Sequence, residues 1–376
     1  MSASVSYVVD DRDPSIEYLC PVVPETHIPN AYLHDSYTTI RGSQCGGGWF
    51  RHTFNGTSVR IFNHAKAGFD AAAVQLDISP MFKVTTITNG QYQSPTLRDG
   101  EHSITYAFGN QSLFPAFDFL TVTAGDSTQL RNKTIIVDDT DNAIRYSGNW
   151  TTEPSTSDSA LAFDYSNQSY LNTTHWSNTV GDSITYSFQG TSVAVYGVIP
   201  ASMSNKPTKN MIASYTIDNQ ETNSVSFPMS NVGRAIPMKK LLQVDSLSEG
   251  VHTLVMDITS IPDTSAAGLG LDFILYNASY DSLATMDATV PSSAGTPAGA
   301  RVKSAVWQPI IGGVVGALAL LLGICIAWLV WRKKQKAKAQ AKLAASSKVA
   351  VLPTLKRTES YDLDDKARAR TLTDEV

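Results

Sequence analysis

Two stretches, "HTFNGTSVRIF" at His52–Phe62 and "YSFQGTSVAVY" at Tyr186–Tyr196, decide how this chain is read. They share Gly-Thr-Ser-Val at an offset of 134, with Gly56 opposite Gly190 and Val59 opposite Val193. In each, apolar and polar residues alternate with the period of two that belongs to a β-strand with one buried face.

Outward from these stretches, further pairs follow in the same order. "VVDDRDPSIEY" (Val8–Tyr18) matches "IVDDTDNAIRY" (Ile136–Tyr146), setting Asp10, Asp11, Asp13 and Tyr18 against Asp138, Asp139, Asp141 and Tyr146. "VQLD" ending at Asp77 pairs with "YTID" ending at Asp218, and "DGEHSITY" with "EGVHTLVM", so that His102 stands opposite His252. "FDFLTV" pairs with "LDFILY", which aligns Asp118 with Asp272. The offset rises along the chain, the mark of one domain present twice, with insertions in the loops of the second copy. Copy one spans 5–124 and copy two 132–278. Gly, Asn, Asp and Pro clusters separate short alternating runs, and no sustained helical period precedes the long apolar run. The expected fold is therefore all-β: two tandem jelly-roll sandwiches, each of roughly eight antiparallel strands.

That run, "PIIGGVVGALALLLGICIAWLVW" at Pro309–Trp331, would form a helix about 35 Å long, enough to cross a bilayer core. A single transmembrane helix is expected over 307–331, preceded by a flexible Pro/Gly/Ser/Thr/Ala stalk (279–304) and followed by a disordered basic tail (332–376). The "RKKQKAK" after the span marks the cytoplasmic side, so the N-terminal part faces outward from a plasma membrane or another secretory-pathway membrane. Residues 1–304 carry 17 Lys/Arg against 28 Asp/Glu, an acidic balance that argues against nucleic acid as a partner. Seven N-x-S/T acceptors, at Asn55, Asn110, Asn132, Asn149, Asn167, Asn172 and Asn277, all precede the span and are expected sites of N-glycosylation. The N-terminus "MSASVSYVVDDRD" shows no basic-then-apolar leader. An upstream start, an uncommon insertion route and a cytosol-facing, C-terminally anchored protein all stay open. Small residues at Gly312, Gly316 and Gly323 line one face of the span and predict weak homodimerisation; Arg357-x-x-Ser360 resembles a basophilic kinase site, with Ser360 the acceptor.

Five sets of residues invite a chemical reading. Gly181-Asp182-Ser183-Ile184 resembles the first block of GDS-type hydrolases, whose serine attacks an ester, so a membrane-anchored esterase using Ser183 is the rival reading. Against it, the duplication aligns Ser183 with Trp49, and a turn followed by a strand accounts for the same residues. Trp150, Tyr170 and Trp176 fall in a loop-rich stretch with Asn, Ser and Thr, where aromatic faces could stack on the apolar faces of sugars. Asp138, Asp139 and Asp141 could hold a structural calcium, since hard cations want several oxygen ligands, although turn formation explains Asp-rich strand starts as well. No other cofactor is called for. Cys20 and Cys45 could close a disulfide loop in an oxidising compartment. His102 and His252 each follow a Gly at a strand edge, with no metal-ligand spacing nearby.

The sequence of anchors, D-D at the start, N/Q-G-T-S-V before an apolar strand, D/E-G-x-H before another and a closing D-F, resembles the tandem galactose-binding-like jelly-roll domains of membrane-anchored proteins abundant in mushroom-forming fungi. The resemblance covers nearly all of the part before the span, together with the span. It implies a non-enzymatic surface protein whose sandwiches bind glycans or a neighbouring protein. The fold class also includes lipid binders and purely structural modules.

Overall fold

In strand β5 (Phe50–Gly56) the side chains alternate between buried and outward-facing, with Phe50, His52 and Phe54 inside. The corresponding run in the second copy opens strand β15 (Ser183–Ile199), where Ile184, Tyr186 and Phe188 are buried. At the end of each run stands the shared glycine. There the chain leaves one sheet for the other and passes so close to the last strand of its copy that a Cβ on Gly56 would lie 2.4 Å from the Thr123 carbonyl oxygen. A Cβ on Gly190 would lie 2.5 Å from that of Asn277. The glycine is required at both places because the approach leaves no room for a side chain.

A computed structural model describes residues 4–26, 32–40, 49–64, 71–85, 91–108, 116–152, 169–200, 210–220, 222–227, 235–262 and 268–287. The first copy adds β1 (Ser6–Asp10), β2 (Ile16–Tyr18), β3 (Val22–Thr26), β4 (Ser36–Ile40), β6 (Ser58–His64), β7 (Ala71–Leu76), β8 (Phe82–Thr85), β9 (Tyr92–Gln93), β10 (Gly100–Phe108) and β11 (Ala116–Thr123). One sheet runs β2-β5-β10-β7-β8; opposite it β1, β11, β6 and β9 pair in that order, with β4 on the far end of β11 and β3 beside β4. The second copy comprises β12 (Thr134–Asp138), β13 (Arg145–Ser147), β14 (His175–Ser177), β15, β16 (Met211–Ile217), β17 (Asn223–Phe227), β18 (Ile236–Val244), β19 (Val251–Ser260) and β20 (Leu269–Ala278). Its β13-β15-β19-β16-β17 and β12-β20-β15-β18 repeat the same two sheets, with β15 serving both. Every pairing is antiparallel, as in two jelly rolls.

The copies are not separate beads. Strand β1 pairs with β12, Ser6 opposite Ile136 and Tyr7 opposite Ile135, so one sheet runs unbroken through both. This pairing removes two exposed edges. It also creates a second apolar layer on the outer face of the joined sheet, distinct from the sandwich interiors. Val8, Leu33, Phe62 and Phe119 of the first copy meet Ile136, Tyr170, Tyr196, Met238, Phe273 and Leu275 of the second. Phe62 stacks on Phe119 with centroids 4.4 Å apart, and their counterparts Tyr196 and Phe273 stack at 4.8 Å. Tyr170 reaches across the joint, 5.2 Å from Phe62 and 5.8 Å from Phe273. Burying each such ring stabilises by about 2 kcal/mol.

Among the described residues no helix is long and apolar enough to cross a membrane. The span expected over 307–331, most of the stalk and all of the tail, including Gly312, Gly316, Gly323 and Ser360, lie outside the described residues.

Candidate functional site

The duplicated aspartates turn out to be structural. Asp11 is fully buried and accepts hydrogen bonds from Ser36 Oγ (2.8 Å) and Thr38 Oγ1 (2.6 Å). Asp139, equally buried, accepts from Thr173 Oγ1 and His175 Nδ1, both at 2.6 Å. The matched tyrosines close the same turn, Tyr18 Oη donating to the Asp11 carbonyl and Tyr146 Oη to that of Asp139, each at 2.6 Å. On the last strand, Asp118 accepts the Leu33 N–H (2.9 Å) and Asp272 the Tyr170 N–H (2.8 Å), which fixes the two loops over the joint. Burial pushes Asp11 up to about 7 and Asp138 up to about 6, and it raises Asp118 and Asp272 well above the usual carboxylate range. The second oxygen of Asp272 is buried without a hydrogen-bond partner, as suits a protonated acid.

These contacts give the aspartates expected to hold calcium another role. Asp138 takes the Thr140 hydroxyl, Asp139 the Thr173 hydroxyl and the His175 imidazole, and Asp141 the Ala143 N–H. Their oxygens face protons of neighbouring donors, whereas a cation needs facing lone pairs. Among the described residues no group of three or more His, Cys, Asp or Glu could hold a metal ion.

Ser183 opens a regular strand, paired with Ser147 on one side and Asp257 on the other. The turn before it is built by Gly181, at φ +95°, and by Asp182, which is buried and accepts from the Asn149 N–H (2.8 Å) and Ser177 Oγ (2.5 Å). No strand-to-helix elbow follows, because β15 continues to Ile199. The repeated Gly-x-His anchor has a similar explanation. His102 Nδ1 lies 2.9 Å from Asp77, and His252 Nδ1 2.6 Å from Asp218. Both aspartates occupy the left-handed region, so each histidine clamps a strained turn.

Two of the three aromatic residues expected to form a sugar platform, Tyr170 and Trp176, are buried. Trp176 is 4% exposed and packs on Val198 and Ala235, while Tyr170 has its ring against Phe62, Phe119 and Phe273. Trp150 is half-buried beside Tyr146, its ring centroid 5.3 Å away. Of the glycosylation acceptors, Asn132, Asn149 and Asn172 are exposed. Asn55 and Asn277 are half-buried and hydrogen-bonded, to Ser127 and Thr134. Asn110 and Asn167 lie outside the described residues. Cys20 is disulfide-bonded, and Cys45, its expected partner, lies outside the described residues.

What the sequence reading missed is a pair of related grooves along the joint. The first, of about 410 Å³, has its floor on the outer face of β1, β11, β6 and β9, with Ser6, Ser58, Arg60, Gln93, Thr121 and Thr123, and its wall from Tyr170 and Leu171 of the other copy. The second, of about 250 Å³, lies on the outer face of β12, β20, β15 and β18 and is walled by His34 of the first copy. They correspond position by position. Thr134 replaces Ser6, Ser192 replaces Ser58, Ala194 replaces Arg60, Leu275 replaces Thr121 and Asn277 replaces Thr123. Gln243 faces Ala194 as Gln93 faces Arg60. Leu171 and His34 occupy the same place in their turns, both at positive φ. A sequence signal did exist: "YVV" in β1 and "IIV" in β12 are unbroken apolar runs, which a strand shows when both its faces are covered.

In the first groove a line of polar groups crosses four strands, β9, β6, β11 and β1. Gln93 Nε2 donates to Ser58 Oγ (3.2 Å), Ser58 Oγ to Thr123 Oγ1 (3.0 Å), and Ser6 Oγ lies 3.4 Å from the same atom. Beside it the Arg60 guanidinium sits 5.4 Å above the Phe62 ring centroid. Its Nε is buried without a hydrogen-bond partner. In the second groove the equivalent cation is Lys240, on a different strand and already bound to Gln243 Oε1 (2.5 Å), which is itself held by Asp245.

No family model and no curated protein matches the sequence. Solved structures similar to this chain include a two-domain esterase active on acetylated mannans, 14% identical over 42% of this chain and 40% of its own, with a TM-score of 0.29. The tandem CBM22-1-CBM22-2 domain from Paenibacillus barcinonensis is 11% identical over 72% of this chain and 93% of its own, with a TM-score of 0.26. A Paenibacillus xanthan lyase is 12% identical over 70% of this chain, with a TM-score of 0.26. The chain spans 40% of the length of that esterase and 26% of that lyase. At these identities and scores the likenesses decide neither fold nor function.

Proposed function

We propose that this chain is a non-enzymatic surface protein of the tandem galactose-binding-like type, anchored by one helix over 307–331, whose joined sandwiches bind glycans. The observation that carries this reading is the pair of related grooves, lined by hydroxyls and side-chain amides that match the donor and acceptor pattern of sugar hydroxyls. The apolar run and the basic residues after it support the anchor. Ser183 in a regular strand, with no elbow, weighs against the esterase rival. Screening the full-length chain in detergent against a glycan array tests the reading. Binding to defined glycans, reduced by Gln93→Ala or Asn277→Ala with folding intact, is the expected result. An array without a hit would move the function to contact with a neighbouring protein.

A further inference from the structure

We propose that the groove on the first sandwich is a site for a carboxylate-bearing saccharide, in which Arg60 takes the carboxylate and the hydroxyl line takes the ring. The proposal rests on the glycan reading above and narrows it to a ligand class and to one of the two grooves.

Arg60 is the unexplained group of this face. A guanidinium carries five N–H donors in a planar fork, and a partly buried one is ordinarily matched by a carboxylate or several carbonyls. Here the side chain makes no hydrogen bond or ion pair within the described structure; its one close partner is the face of Phe62. Asp138 and Tyr170 act on it only through space. Among the described residues no carboxylate lines the groove; the one that reaches Arg60 through space, Asp138, stands outside the lining. The cation–π contact with Phe62 keeps the guanidinium over that ring, which lowers the entropy lost when a two-oxygen partner docks. Gln93 and Thr121 flank Arg60 in register on either side, and Ser58, Thr123 and Ser6 continue the polar line. A ligand with one carboxylate and several hydroxyls complements that arrangement, and about 410 Å³ falls in the range of small-ligand sites. The second groove has Ala194 at the place of Arg60, and beside its lysine it carries a carboxylate, Asp245, that would repel an anion.

The test uses full-length protein in detergent and isothermal titration with three probes at fixed ionic strength: a glucuronate-containing oligosaccharide, its neutral glucose counterpart, and inorganic phosphate. The expected result is preference for the acidic sugar over both others, with Arg60→Gln weakening it on the order of 10- to 100-fold while neutral-sugar binding is unchanged. Gln93→Glu alters an exposed residue and sets a carboxylate opposite Arg60. It should weaken acidic-sugar binding comparably, even if Arg60→Gln fails to fold. Lys240→Ala in the second groove should leave that binding unchanged. Equal affinity for acidic and neutral sugars, or acidic-sugar binding indifferent to Gln93→Glu, would overturn the Arg60 assignment and leave the glycan reading standing. Phosphate binding as tight as that of the acidic sugar and equally lost in Gln93→Glu would overturn the saccharide part. An absence of binding to either sugar would remove both.

Discussion

In the first sandwich the passage between sheets is made by two strands, β5 and β6; in the second it is made by one continuous strand, β15. Both bend at the same glycine, against the same place on the last strand. Elsewhere the pattern holds: the buried aspartates, the tyrosines that close their turns and the His-Asp clamps repeat, whereas the outward residues along the joint diverge. Ala194 stands where the first copy has Arg60, and Leu275 where it has Thr121. Positions that hold the scaffold are under geometric constraint and so remain recognisable between copies. Positions lining a groove are free to acquire separate chemistry.

The sharpest way to break this comparison is at the joint. Tyr170→Ala should cost about 3–4 kcal/mol, because a buried ring that touches both copies is removed. Calorimetry of the full-length protein should then show the two sandwiches melting apart, and a single unshifted transition would mean that they never depended on each other. Next come the bends: Gly56→Ala and Gly190→Ala should each destabilise by roughly 2–3 kcal/mol, as read by urea midpoints, since both press a methyl group into a carbonyl. A large loss in one copy only would show that the crossings are less alike than their sequences.

A pH titration of stability follows in size. The raised carboxyls bind protons more tightly folded than unfolded, so stability falls as pH climbs from about 4 through the folded value, about 7 for Asp11 and about 6 for Asp138. His102 acts in the same direction. Its partial burial opposes the charge, but the Arg98 carbonyl and Asp77 outweigh that and raise its pKa. The stability it adds is therefore present below about pH 6.5 and lost as pH rises through the folded value. Asp77 limits the acid side. Slight burial is outweighed by His102 and the Ser103 N–H, which hold its pKa low, so its contribution is lost below about pH 4. Urea midpoints between pH 4 and 9 should be highest at the acid end, near pH 4, and Asp11→Asn should flatten the decline toward neutral pH. A midpoint that rises from pH 5 to 8 would contradict the buried-acid assignment. The smallest expected effect is that of Ser183→Ala, within about 0.5 kcal/mol of wild type, since the hydroxyl sits on the half-exposed face of a strand. A loss of hydrolytic activity in that variant would revive the esterase.

Alternation in "YSFQGTSVAVY" and the ordered pairs of anchors were enough to read an all-β duplicated chain, because strand periodicity and loop insertion leave local marks. Residue roles were less legible. Trp176 and Tyr170 resembled sugar platforms in a polar stretch, yet burial depends on what other strands deliver to the same place. Asp139 resembled a cation ligand because its donors, Thr173 and His175, lie more than thirty positions away; the nearest donors of Asp138 and Asp141 lie two residues on, in the turn itself.

The sequence by itself determined the period of the strands, their repetition and the glycines at the bends, since each follows from steric demands on a residue and its near neighbours. Only the tertiary structure decided that β1 would meet β12, that Tyr170 would cross to the other copy, and that Arg60 would stand unpaired in a hydroxyl-lined groove. Those outcomes depend on which distant surfaces exclude water together, a property of the assembled sheet that no single stretch carries.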